Sequence, residues 1–170
     1  MMTRKFTKLT EAGVSLVEML IVMGLLAIFL VVITTVFTAS IDTQNQSTGY
    51  SATTSDGRFI MARLNFDIMR ATAICTPASI GASASSLVLS VGGSCNYTYA
   101  LSGSNLQLND GGGAVSLNSS DSSVANTLTF QRIGNAGGKD TIRYSFTLTS
   151  NAKHSGGNDT QVFTSTAERR

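Results

Sequence analysis

From Met19 to Ile41 the chain has 23 consecutive positions without a charge, most of them Leu, Ile, Val, Met or Phe. A run apolar on every side predicts a helix about 34 Å long at about 1.5 Å per residue, enough to cross the hydrocarbon core of a bilayer with some tilt. One carboxylate, Glu18, stands at its head. Residues 42 to 55 are polar, and from Asp56 to Ile74 apolar positions return at helical spacing: Ile60, Leu64, Ile68 and Ala71, with Phe59, Phe66 and Met69 widening the face. Arg63 and Asp67 lie four apart, a spacing worth a few tenths of a kcal/mol on a helix. The pattern predicts one long helix from about Val14 to Ala73, weakened or kinked near Gly49, with Gly57 a second candidate bend; two helices with a short break are the alternative.

After Ile74 the period changes from 3.6 to 2. Leu87–Val91, Tyr97–Leu101, Asn105–Leu108, Thr127–Phe130, Thr141–Leu148 and Gln161–Thr164 alternate and are separated by Gly, Ser, Asn and Asp clusters. They predict about six antiparallel strands, with a hairpin closed at Ser102-Gly103-Ser104 and another bend at Asp110-Gly111-Gly112-Gly113. About 96 residues follow Ile74, room for one small core completed by a helix on a sheet. The fold class expected is α+β.

A carboxylate at the start of a membrane span costs on the order of 2.5–3.5 kcal/mol on the insertion scale, so Glu18 needs a reason. A short polar segment with Arg4, Lys5 and Lys8 precedes it, and these cations favour a cytoplasmic N-terminus and an exported C-terminal part. An ordinary secretory signal has a shorter apolar core and is cut after it. Here the small-residue site lies before the apolar run, so cleavage would keep the helix.

The stretch Glu11-Ala12-Gly13-Val14-Ser15-Leu16-Val17-Glu18-Met19-Leu20, with its basic leader and long apolar helix, resembles the class III signal of type IV prepilins and type II secretion pseudopilins. That resemblance implies a pilin-like fold, a long helix whose C-terminal half packs on an antiparallel sheet. It divides the chain into a leader, 1–13, removed after Gly13; a transmembrane or filament-core helix, 14–41; an amphipathic continuation, 42–74; and a β-rich exported head, 75–170. It also implies a prepilin peptidase that cuts between Gly13 and Val14 and methylates the Val14 amine. Glu18 then meets the N-terminal amine of a neighbouring subunit, an attraction strengthened in a low-dielectric helix bundle. The bland alternative is a signal anchor whose glutamate snorkels to the headgroups.

Two departures lean towards a minor subunit: Val14 stands where phenylalanine is usual, and the first helix lacks the proline of major pilins, leaving Gly24, Thr34 and Thr35 as weak breakers. The order of the strand segments is similar to that of W-type minor pilins and J-type pseudopilins. The function implied is a minor pilin of a type IV pilus-like filament. The alternatives are a J-type pseudopilin of a type II secretion system and a membrane-anchored surface binding protein that never polymerises. Implied partners are the prepilin peptidase, other pilin or pseudopilin subunits, and inner-membrane lipid before assembly. The place implied is the inner membrane and then a surface pilus or periplasmic pseudopilus.

Charge and chemistry add little to this picture. The formal net charge of +2 resides in the leader, leaving nine basic and nine acidic side chains after Gly13 and no basic stripe for nucleic acid. Cys75 and Cys95 are the only cysteines, and both fall in the exported part. A bridge would close a loop of about 20 residues, worth roughly 3 kcal/mol in the chain-entropy model; two buried free thiols are the alternative. With His154 as the sole histidine and no phosphate-cradling loop or nucleophile elbow, an enzyme, a cofactor or a zinc site is not expected. Asp110, Asn118 and Asp121 are the candidates for a calcium loop; solvated turn formers are the default for the acids of the head.

Overall fold

The computed structural model describes residues 15–134 and 137–170. It has an α+β architecture: one helix, α1 (Leu16–Arg70), followed by ten strands in two antiparallel sheets. The chain divides between Ile41 and Asp42 into two compact units.

In the first unit the apolar side chains of α1 are exposed along its length, and none of its most apolar window is buried. The hydroxyls of Thr34, Thr35 and Thr38 turn back onto the helix, donating to the carbonyls of Leu30 (2.7 Å), Val32 (2.8 Å) and Thr35 (3.0 Å). Satisfied internally, they leave no polar group needing water, as an apolar surrounding requires. Gly24 and the threonine pair therefore do not interrupt the helix, which is long and apolar enough to cross a membrane.

In the second unit the strands are β1 (Ala73–Thr76), β2 (Ser83–Ala84), β3 (Leu87–Val91), β4 (Ser94–Ser102), β5 (Asn105–Asn109), β6 (Ala114–Ser116), β7 (Ser122–Val124), β8 (Thr129–Ile133), β9 (Thr141–His154) and β10 (Gly157–Glu168). One sheet has the order β1-β3-β4-β5-β6, the other β10-β9-β8-β2, with β7 also paired to β9. The turn expected at Ser102-Gly103-Ser104 closes β4 on β5 with Ser102 opposite Asn105, and Gly103 takes φ 61°. Asn109 and Asp110 each accept an amide two residues on, from Gly111 (2.9 Å) and Gly112 (3.0 Å), and so bend the chain into β6.

One stripe of α1, Gly49, Thr53, Gly57, Ile60, Leu64, Asp67 and Ile68, is buried against both sheets, where Leu87, Leu89, Tyr99, Leu106, Phe130, Ile142, Tyr144, Phe146 and Leu148 complete the core. Neither glycine breaks the helix. A Cβ at Gly49 would stand 2.6 Å from the Ser150 hydroxyl on β9, and one at Gly57 would stand 2.2 Å from the Phe163 ring on β10. Helix and sheet meet at these positions because nothing projects there. The helix expected to be weakened near Gly49 runs through it unbroken.

Two further expectations are corrected. The helix ends at Arg70, not at Ala73 or Ile74, because Thr72 gives its amide (2.8 Å) and hydroxyl (3.0 Å) to the Ser90 carbonyl and draws the following residues into β1 beside β3. Phe59, Phe66 and Met69 do not widen the buried face: they remain 56%, 57% and 37% exposed, and the Arg70 guanidinium lies over the Phe66 ring at 5.0 Å and the Tyr97 ring at 4.8 Å.

Candidate functional site

Ser15 begins the first turn of α1, accepting the Met19 amide at 3.1 Å. Glu18 is then the third helical residue, so Ser15-Leu16-Val17-Glu18 has the spacing of a capping box, a signal legible in the sequence. Glu18 is exposed and is the only charged residue between Leu16 and Ile41. Gly13 and Val14, the expected cleavage and methylation positions, lie outside the described residues, as does the leader.

A carboxylate in the first turn of a helix gains roughly 0.3–1 kcal/mol from the helix dipole and orphan amides. Taking such a charge to the centre of a bilayer costs on the order of 2.5–3.5 kcal/mol, and less near the interface, where the first turn of a span lies.

Three aspartates hold the rest of α1 to the head. Asp42 accepts the Ser155 amide at 2.7 Å together with the Ser155 hydroxyl, and so tethers the turn between β9 and β10; these bonds hold its carboxyl below the ordinary range. Asp56 Oδ2 accepts the Ser119 amide (2.9 Å) and the hydroxyls of Ser119 (2.7 Å) and Ser122 (2.5 Å). Asp67, fully buried, accepts the Tyr99 hydroxyl from β4 and the Arg63 guanidinium at 2.8 Å, with Arg70 at 2.8 Å from its other oxygen. Burial first, and then the bond to Asp67, raises the Tyr99 phenol above its ordinary range. The Arg63–Asp67 spacing was legible; the turns of β-structure that Asp42 and Asp56 reach across more than 60 residues were not.

Cys75 on β1 and Cys95 on β4 form a disulfide, Cα to Cα 6.2 Å, across a separation of 20 residues. It ties the first strand after the helix to a strand two places on in the same sheet. Of the calcium candidates, Asn118 is buried and spent on structure: its oxygen accepts the Leu106 amide (2.9 Å), and its nitrogen donates to the Ser122 carbonyl (2.8 Å) and Asn105 (3.1 Å). Asp110 closes its own turn on Gly112. Asp140 is no solvated loop acid, for Arg132 reaches it at 2.6 Å and Arg169 at 3.4 Å. Among the described residues no group of three His, Cys, Asp or Glu side chains could hold a metal ion.

The site with a physical problem to solve is therefore the bare apolar helix and the acid at its head, while the polar clusters of the head serve to dock α1 on the sheets. No protein-family model, curated protein or solved structure matches this chain.

Proposed function

We propose that this chain is a minor pilin, a structural subunit of a type IV pilus-like filament: inserted in the inner membrane with its N-terminus inside, cut between Gly13 and Val14, methylated at Val14, and assembled by lateral packing of its N-terminal helix. The observation that carries this reading is the 16–41 stretch of α1, apolar on every side, uncovered, and charged only at Glu18. An exposed apolar surface of that length belongs in lipid or in a bundle of like helices. A plain anchor has no use for Glu18 beyond capping, whereas a bundle of processed subunits offers it an α-amine. The prepilin-like spacing of Gly13, Ser15 and Glu18 supports the same reading, and the head would set which subunits sit above and below.

The test is intact mass and N-terminal peptide mapping of the native protein, taken separately from sheared surface filaments and from membranes. A chain beginning with N-methylated Val14 in the sheared fraction is expected. The same processed chain confined to membranes would move the assignment to a type II secretion pseudopilin. An uncut N-terminus in membranes, with no chain in the sheared fraction, would replace the filament by a non-polymerising surface protein.

A further inference from the structure

We propose that the cavity where the end of α1 meets the end of β10 binds a sugar carrying one anionic group, a phosphate or a carboxylate. The cavity has a volume of about 380 Å³. Asn65 and Met69 of α1 form one wall, residues 166–170 another, and Lys139, two residues before β9, a third. The Met69 carbonyl accepts the Arg170 amide at 3.3 Å, which fixes Arg170 beside the helix.

Cations outnumber acids at this end of the head. Asp140 takes both Arg132 (2.6 Å) and Arg169 (3.4 Å), so one carboxylate answers two guanidinium groups. Lys139 and Arg170 on the wall, and Arg143 beside Thr166 in the β9–β10 ladder, are exposed and make no ion pair among the described residues. Glu168 is the one acid of the wall. Basic and acidic side chains balance over the chain after Gly13, so the excess is local. An anion within reach of Lys139 and Arg170 neutralises it through charge-assisted hydrogen bonds, and the arginine fork matches phosphate or carboxylate geometry.

The remaining wall selects the body that bears the anion. The volume lies in the range of small-molecule sites, larger than a bare anion fills. Asn65 accepts the Tyr144 hydroxyl at 2.8 Å and so presents its amide nitrogen as a donor, Thr166 adds a hydroxyl, and Glu168 supplies an acceptor. That mixture is wasted on an inorganic anion and suits a ring of hydroxyl groups. Met69 and Ala167 give apolar surface for the C–H face of such a ring.

The test titrates the full chain in polyoxyethylene detergent micelles, which carry neither sugar nor charge, and follows backbone amide shifts around Lys139 and Thr166 by NMR. It is independent of filament assembly. The probes are glucose 6-phosphate, glucuronate, glucose and inorganic phosphate. Glucose 6-phosphate or glucuronate should bind with a Kd on the order of 1 mM, weakening as salt is raised, and whichever binds names the anion. Lys139→Glu and Arg170→Glu should each weaken binding at least about tenfold while keeping the parent's unfolding midpoint. Lys153→Glu, at the opposite end of β9, should bind as the parent does. No shift with either anionic sugar at about 10 mM would overturn the proposal, as would equal binding of glucose or undiminished binding in Lys139→Glu. Phosphate binding as tightly as the better sugar would also overturn it, in favour of an adventitious ion only.

Discussion

Gly57 sits where helix and sheet come closest, its virtual Cβ 2.2–2.5 Å from three atoms of the Phe163 ring, which is itself stacked on Phe146 at 5.3 Å. Alanine would gain about 1 kcal/mol of helix propensity, but displacing the partly buried Phe163 ring from its stack on Phe146 costs about 1–3 kcal/mol. Gly57→Ala should therefore lower stability in chemical denaturation by about 1 kcal/mol net, while Gly24→Ala, with open space around it, should not. A Gly57→Ala chain more stable than the parent would show that Phe163 yields freely. Asp67 is the second decisive residue, because it is fully buried and takes the Tyr99 hydroxyl and two arginines that are 36% and 35% exposed; Asp67→Asn should cost about 1.5–3 kcal/mol, the loss of charge-assisted bonds. Its bond to Tyr99 also gives stability an alkaline limit. The Tyr99 phenol ionises near 10 when unfolded and higher when folded, so its contribution is whole below pH 10 and is lost as pH rises towards the folded value. Burial shifts Tyr144 the same way. The unfolding midpoint should stay level from about pH 7 to 9 and fall above about 10, with a shallower fall in Tyr99→Phe.

Elements with a strong period were legible, and short ones were not. Leu87–Val91 was read to the residue as β3, and the alternation of Thr141–Leu148 and Gln161–Thr164 located β9 and β10 but not their extensions into the hairpin, where His154, Ser155 and Gly156 carry no period. β1, β2, β6 and β7 have two to four residues, too few for a pattern, and are held by what lies far away in sequence. The same distance hid the role of Gly49 and Gly57: a glycine in a helix reads as a bend until the opposing ring is known. The hairpin between β9 and β10 is joined to α1 through Ser155 and Asp42, whose carboxyl those bonds hold low. A lowered folded value makes this tether complete above about pH 4 and lost as pH falls through the folded value. The protection factor of the Ser155 amide, taken relative to the intrinsic exchange rate at each pH, should fall at acid pH in the parent and be low already at neutral pH in Asp42→Ala. At the other end of the head, Cys75→Ser should lower stability by roughly 3 kcal/mol, as expected for a 20-residue loop. A loss below about 0.5 kcal/mol would mean that β1 is held by its ladder alone.

At the scale of the molecule the chain joins a head with a closed apolar core to a helix that leaves its apolar surface open. The three aspartate contacts, the disulfide and the glycine seam all lie within residues 42–170, a unit of its own. Glu18 belongs to the other unit, so substituting it should leave the unfolding of the head within about 0.5 kcal/mol of the parent. Two roles remain for that carboxylate, capping the helix and meeting a neighbour's amine, and they are separable because glutamine serves at the third position of a capping box but carries no charge. On the capping role, Glu18→Gln should join filaments as the parent does and only Glu18→Ala should suffer. On the pairing role both should insert in the membrane at least as well as the parent, relieved of a charge unfavourable in lipid, and both should be missing from sheared filaments. On the proposed filament reading the second outcome is expected, because a neighbour's α-amine pairs with a charge that glutamine does not carry. Parent-like incorporation of Glu18→Gln would confine the glutamate to the helix it begins and leave assembly to the apolar surface alone.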